Sequence, residues 1–552
     1  MVVTGFSEVA SLYTGASFVT ILANQNFYYD TFYVKIFPEQ IIAGPPHVNA
    51  LIIASVGFAL SSLLTSIISL TRLRLSERFA ASLGTDFAKE AFLKTISQPY
   101  LTIINRNKSN LTNTLSKEVS HTVKSIKVFF GLIASTINAL FVFITLCTIS
   151  LYISLSMAIS ISFLYFTLSA LIKKNLTKIS KIRSSRSARH IRIINEVMSG
   201  IRDVIIGNTQ DFHTSTFSKA DGRMRQAVAS GRLLAAFPKF IFNALSIVCI
   251  SIATIALALK GGSFEPYLPT LAAMVLGVRR LLPNFQRIYN AFATIRLRTA
   301  AVNSVIQLLE QKVPVDNSSN KIDFNFENLV HLENIGFHYP QKDWVFRNIS
   351  MKIHKGERIG IVGDSGSGKS TFIDLLMGLI PPVEGKIIID NQSLYQKEIM
   401  LLKYWKRMIS HVPQRVFIAD ASIEENIALG IKPNKIDRAL VCRVAKIVDL
   451  EEFILTLRDS YQTIVGEEGV LLSGGQRQRL GIARALYSDF EVLMLDEATS
   501  ALDLKTERLV INNIISEFQS STIFIVSHRE STLRDCDRII SISEGRIDSM
   551  SN

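Results

Sequence analysis

Stretches of about twenty apolar residues recur through the first half of the chain, near residues 2–22, 49–70, 128–149, 152–172, 240–259 and 267–284. At ~1.5 Å per residue such a run crosses ~30 Å of hydrocarbon, so the pattern predicts six membrane-spanning helices. The periodic polar faces of helices packed around a water-soluble core are missing from these runs. The third and fourth runs nearly fuse, which requires a tight turn near Ser150. From about Leu308 the pattern changes. LLEQKVPVDNSSNKIDFN is polar, with Pro314 and an Asn/Ser cluster at 317–320, and reads as a linker. Beyond it, strand-like and helix-like patterns alternate to about residue 548. The expected organisation is multi-domain: an all-α six-helix transmembrane domain over 1–307, a linker over 308–328 and an α/β domain over 329–552.

Composition agrees. Of 552 residues, 48% are hydrophobic and 19% charged, and the mean hydropathy is +0.28. A net charge of +14 would suit nucleic acid, but its distribution suits membrane topology better. One basic segment, from Arg72 to Lys127, separates the second and third runs, and another, from Lys173 to Arg225, separates the fourth and fifth. The opposite-side connections offer little beyond Lys35 and Lys260. The positive-inside bias places both long segments in the cytoplasm, and no nucleic-acid partner is expected. The four cysteines, Cys147, Cys249, Cys442 and Cys536, form no CxxC or Cys/His pattern, which argues against a zinc site or disulfide framework.

Three motifs carry chemistry. IGIVGDSGSGKST at 359–371 reads as strand, glycine loop and helix, the context in which a P-loop is credible. Residues Gly363, Asp364, Ser365, Gly366, Ser367, Gly368, Lys369, Ser370 and Thr371 are its candidate nucleotide-binding set. The glycines let backbone N–H groups approach phosphate oxygens, Lys369 reaches for the β- and γ-phosphates, and Ser370 is a Mg²⁺ ligand. VLMLDE at 492–497 is an apolar strand ending in paired carboxylates. Asp496 is expected to hold Mg²⁺ and Glu497 to orient and deprotonate the attacking water. LLSGGQRQR at 471–479 is a glycine turn opening a basic helix.

Together these motifs resemble the nucleotide-binding domain of an ATP-binding cassette (ABC) protein, so the α/β domain is expected to be a P-loop nucleotide-binding domain using ATP and Mg²⁺. The resemblance implies further roles. Tyr339 matches the aromatic that stacks on adenine, Gln414 a residue that senses Mg²⁺ and couples to the membrane domain, and His528 the switch histidine; Asp503 belongs to the D-loop. Ser473, Gly474, Gly475 and Gln476 would face nucleotide held by another cassette. One cassette with six spans therefore resembles a half-transporter that pairs with a second copy of itself as a homodimer. Such transporters usually begin with a cytoplasmic stretch, whereas Met1 stands at the edge of the first run without a signal-peptide pattern; the start is expected to be late, with part of the first span missing.

TIVGEEG at 463–469, with Glu467, resembles a segment of exporters, and segments near 99–107 and 207–217 fit the two coupling helices. QPYLTIINRNKSNL, FPK at 237–239 and VRRLLPNFQRIYNAF at 278–292 are similar to bacterial flippases of lipid-linked oligosaccharides. The implied protein is an ATP-driven, multi-pass flippase of the bacterial cytoplasmic membrane, its cassette in the cytoplasm and its partner a lipid-linked glycan substrate. Lys239, Arg279 and Arg280 lie in or beside apolar runs. Charges there are costly unless they face water or a partner, and guanidinium groups suit a pyrophosphate head group. Alternatively, Arg279 or Arg280 ends a shorter span and snorkels to the interface. A peptide or drug exporter, a lipid A type flippase and a non-transporting ABC ATPase remain open.

Overall fold

The computed structural model describes residues 2–23, 46–149, 151–258, 268–312, 324–395, 399–466, 469–543 and 545–551. Ser150, the connections carrying Lys35 and Lys260, and Glu467 lie outside the described residues. The chain divides into two compact units, one of residues 1–98 and 104–313, the other of 99–103 and 314–552.

The first unit is helical. Its elements are α1 (Val2–Ala23), α2 (Pro46–Ile96), α3 (Tyr100–Ile104), α4 (Lys108–Asn113), α5 (Val119–Ile149), α6 (Leu151–Ser199), α7 (Ile201–Ile206), α8 (Gln210–Ala258), α9 (Leu268–Leu297) and α10 (Thr299–Leu309), of which α3 groups with the second unit through residues 99–103. A π-helical turn, Thr114–Glu118, joins α4 to α5. Apart from residues 259 and 267, which lie outside the described residues, the six apolar runs fall within α1, α2, α5, α6, α8 and α9. At 51 residues α2 is about 75 Å long, more than twice the hydrocarbon thickness, so its basic second half extends beyond it. Among the described residues, 51–96 and 109–148 are each long and apolar enough to cross a membrane.

Side-chain direction in this unit is set by its solvent. Leu60, Leu63, Ile67 and Phe166 are exposed, whereas Thr4, Asn113, Glu118 and Asn138 are buried. Asn138 donates to Glu8 at 2.9 Å, and Asn113 and Ser184 donate to Glu118 at 3.1 and 3.2 Å. Polar groups buried within hydrocarbon, such as Asn138, need internal partners because the lipid supplies none, and in the cytoplasmic extension Glu118 is paired because its burial would otherwise be costly.

One short helix lies where the sequence suggests, α3 within 99–107. The other does not. It was expected near 207–217, but α7 spans Ile201–Ile206 between Gly200 and Gly207, and residues from Gln210 onward already belong to the 49-residue α8. The break is made by Gly207 and by Asn208, whose φ of 50° is left-handed.

The second unit is an α/β cassette with two sheets. Strands β1 (Leu329–His338), β2 (Trp344–His354), β4 (Glu384–Ile389) and β5 (Gln392–Ser393) form an antiparallel sheet in the order β2-β1-β4-β5. The larger sheet has the order β10-β9-β3-β8-β7-β6, from β3 (Arg358–Gly363), β6 (Ile409–Val412), β7 (Val492–Asp496), β8 (Thr522–Val526), β9 (Arg538–Ser543) and β10 (Arg546–Ser551). It is parallel apart from the β9–β10 hairpin. Its central strands read as continuous apolar runs because both faces are covered: Val492, Leu493, Met494 and Leu495 are all buried, as is every residue of β8. The helices that position the site are α11 (Lys369–Leu376), α12 (Gly474–Tyr487), α13 (Leu504–Glu517) and α14 (Glu530–Leu533).

The boundary between the units differs from the expected linker over 308–328. Helix α10 continues to Leu309. Phe324 and Phe326 are buried in the cassette core, with the Phe326 ring edge-on to Trp405 at 5.6 Å. Two aromatics in an otherwise polar stretch pack its end onto the cassette, where Asp390 also accepts from the N–H groups of Glu327 and Asn328.

Candidate functional site

The site assembles at the carboxyl ends of β3 and β7, neighbours of β8 in the parallel sheet, where ligands of such sheets bind. Ile359 and Ile361 anchor β3 in the core, and the chain then turns through Gly363–Gly368 into α11. The turn requires glycine. Gly363, Gly366 and Gly368 have φ of 153°, 84° and 106°, and a Cβ at Gly368 would sit 2.8 Å from the Phe346 ring. Lys369 is buried, and its ammonium donates to the carbonyls of Gly363 at 2.7 Å and Asp364 at 3.0 Å. The Ser367 hydroxyl is buried and has no hydrogen-bond partner. A loop with a buried ammonium, an orphaned hydroxyl and glycine-freed amides fits a phosphate chain.

Ser370 Oγ donates to Asp496 Oδ2 at 3.4 Å, so the two predicted metal ligands meet. Burial, and then the neighbouring Glu497 carboxylate, push the Asp496 carboxyl above its ordinary value. A hydroxyl and a carboxylate side by side match the hard oxygen donors that Mg²⁺ prefers, and a bound cation would relieve the strain on Asp496. Asp374, one turn further along α11 and near Asp496, is pushed up to about 6, by burial first and then by that carboxylate.

Glu497 has a φ of 48°, a left-handed conformation that a non-glycine residue adopts only when its surroundings impose it. The imposition is visible. Its N–H donates to the carbonyl of Val526 at 3.1 Å, Gln414 Nε2 donates to Oε2 at 2.7 Å, and His528 Nε2 lies 3.3 Å from Oε1. Gln414, Glu497 and His528, far apart in sequence, thus converge on one carboxylate; the amide of Gln414 meets Glu497 rather than the Ser370–Asp496 pair. Tyr339 joins through its hydroxyl, 3.1 Å from Thr371 Oγ1.

Ser473 caps α12. Its Oγ accepts from Gln476 N at 3.2 Å, and Gln476 Oε1 accepts from Ser473 N at 2.8 Å. This reciprocal box sets Gly474 and Gly475 at the positive end of a 14-residue helix. Among the described residues, no hydrogen bond links Ser473–Gln476 to the P-loop. Asp503 caps α13, accepting from Lys505 N and Thr506 N at 3.1 and 3.0 Å, and these bonds lower its carboxyl.

The candidate substrate residues are not joined. Lys239 and Arg279 are exposed, and the Arg280 side chain lies outside the described residues. Sequence reasoning missed Gln478, Glu507 and Arg529, which surround the chain segment after Glu497. The one available signal was the S-x-x-Q spacing of the cap at 473–476, and it does not reach them. The coupling-helix segment predicted at 99–107 does bear on the cassette, through Leu101 and Tyr100 of α3. Leu101 packs against the cassette core, and burial, followed by Asp374 and Tyr339, raises the Tyr100 hydroxyl.

Comparison with known proteins gives the same architecture. Residues 2–276 match the ABC transporter transmembrane region, and residues 346–500 match the ABC transporter family's ATPase domain. The chain is 30% identical over 379 residues to an ATP-dependent lipid A-core flippase of Alkalilimnicola ehrlichii, an alignment covering 68% of this chain and 63% of that protein. It is 29% identical over 439 residues to the heterocyst differentiation ATP-binding protein HepA of a Nostoc species, covering 79% and 71%. It is 37% identical over 276 residues to the leukotoxin translocation ATP-binding protein LktB of Mannheimia glucosida, covering 50% and 37%. The structure of a bacterial Atm1-family ABC exporter with ATP bound superposes with a TM-score of 0.85 at 21% identity, covering all of this chain and 94% of that one, a likeness of fold. With a transmembrane region and an ABC transporter cassette matched in this order along one polypeptide, the chain belongs to the ABC transporter family.

Proposed function

We propose that the chain is an ATP-driven exporter or flippase that works as a pair of identical copies in the bacterial cytoplasmic membrane. The observation that carries the reading is the Glu497 carboxylate, held by Gln414 and His528 beside the Ser370–Asp496 pair. Lys369 and the P-loop amides bind the phosphates. Glu497 orients the attacking water and takes its proton, while His528 and Gln414 hold the carboxylate in place. Ser370 and Asp496 would hold Mg²⁺, which when bound would neutralise charge developing on the phosphate oxygens. Tyr339 stacks on adenine.

Dimerisation follows from Ser473–Gln476. The helix end they form favours an anion, yet among the described residues no hydrogen bond joins it to the P-loop of its own cassette. A second copy supplies the missing face to each site. Closure of two cassettes over ATP then drives the helical domains outward-open, because the two states differ in ATP affinity.

For the substrate, the reading is an amphiphile with a phosphorylated, glycosylated head group, specifically a lipid-linked oligosaccharide, with Lys239, Arg279 and Arg280 receiving its phosphates. The relatives described as lipid A-core flippases favour lipid A as the second reading. The test is reconstitution in liposomes with ATP-dependent movement of a fluorescent polyprenyl-linked saccharide, measured beside lipid A and hydrophobic peptide. Movement of the saccharide alone supports the first reading and of lipid A alone the second. Movement of peptide alone would discard both.

A further inference from the structure

Two carbonyls in the segment after Glu497 are held by one side chain. Arg529, the residue after His528, donates from Nη2 to Ser500 O at 3.1 Å and from Nη1 to Leu502 O at 3.0 Å. The same Nη1 lies 2.5 Å from Glu507 Oε2. Glu507 is 1% exposed on α13, and its other oxygen accepts from Thr499 Oγ1 at 2.6 Å and Thr532 Oγ1 at 2.8 Å. A buried carboxylate is costly unless paired and hydrogen-bonded. Glu507 has one guanidinium and two hydroxyls, so its cost is offset and Arg529 is fixed.

The opposite side of the segment is held from α12. Gln478 donates to Ser500 Oγ at 2.9 Å and accepts from Ala501 N at 2.7 Å. Residues 500–502 are therefore gripped both from the His528 loop and from the helix that Ser473 caps. The strained φ of Glu497 lies three residues before the gripped segment, where over-determined surroundings are needed to hold it.

We propose that Arg529, locked by Glu507, is a positioning residue for ATP hydrolysis. It ties residues 500–502 to the His528 loop, so that Glu497 and His528 keep their alignment as one unit, and Gln478 extends that unit to the helix whose end serves the second copy's nucleotide. This rests on the ATPase reading above.

The test uses the full-length protein in lipid nanodiscs, with kcat and KM for ATP, ATP affinity and melting temperature measured together. Arg529→Lys keeps the charge, but its single nitrogen cannot span the separate positions of Nη1 and Nη2 that reach Leu502 O and Ser500 O. Its kcat is expected to fall about 10- to 100-fold, as for misplacement of a reacting group by ~1 Å, with KM and melting temperature near wild type. Arg529→Ala should fall further, with Lys restoring part of the loss. Wild-type kcat in a folded Arg529→Lys protein, or a fall in kcat matched by a rise in KM, overturns the proposal. If Arg529→Lys does not fold, Thr532→Val decides: lower kcat at unchanged KM supports the tie, and unchanged kcat overturns it. A wild-type protein that neither binds nor hydrolyses ATP would instead refute the ATPase reading itself.

Discussion

In the cassette Phe346, Ile359, Ile361 and Phe372 are shut away from solvent, whereas in the helical unit Leu60, Ile67 and Phe166 face outward while Thr4 and Asn138 are buried. The same residue types are sorted in opposite directions because the two units answer to different surroundings. Water drives apolar groups inward and lets polar ones stay out. Hydrocarbon has no preference for burying leucine, but it penalises any polar group without an internal partner. Each unit accordingly puts its specificity in a different place. The cassette builds a polar site at strand ends on a dry core, and the helical unit builds polar contacts between helices inside an apolar shell.

The comparison can be broken or sharpened by experiment. The largest expected effect falls on the cassette alone: Glu497→Gln should lower steady-state phosphate release by ~10²–10⁴-fold while ATP binding and the melting of the helical unit stay unchanged. A loss smaller than about tenfold would move the base elsewhere. Next, Phe372→Ala should destabilise the cassette by ~3–5 kcal/mol in denaturant titration, whereas Leu60→Ala in nanodiscs should change stability by less than ~0.5 kcal/mol. Equal costs would mean that Leu60 does not face lipid. Within the helical unit, Asn113→Ala removes one donor from the buried Glu118 carboxylate, and a loss of ~1–3 kcal/mol in the thermal transition of that unit is expected, with the cassette transition unmoved.

The smallest effect concerns Asp374, whose carboxyl is raised to about 6 by burial and Asp496. A raised acid favours the folded state while protonated, so its contribution is fully present below the unfolded value near 3.8 and is lost as pH rises through about 6. Asp374→Asn should match wild type in melting temperature at pH 4 and melt a few degrees higher at pH 7.5. A difference that does not change with pH would remove the electrostatic explanation.

Much of this was legible in order along the chain. Glycines at 363, 366 and 368, the apolar run 492–495 and the carboxylates 496 and 497 predicted a strand-end phosphate site because those residue types leave little conformational choice. The pairing of Ser370 with Asp496 followed from motif identity. The position of the second short helix was misread because its ends are set by two glycines and a left-handed asparagine rather than by hydrophobic period. Phe324 and Phe326 were hidden in a polar stretch whose average composition outweighed them.

By itself the sequence determined which segments are long and apolar enough for hydrocarbon, which alternate as strand and helix, and which carry phosphate chemistry, since length, period and glycine placement act locally. Only the tertiary structure decided that Gln414 and His528 meet on the two oxygens of Glu497 and that Glu507 is buried against Arg529, Thr499 and Thr532. Those contacts join residues up to 83 positions apart, and no local preference encodes them. They exist because burial leaves each polar group only the partners that the fold brings within reach.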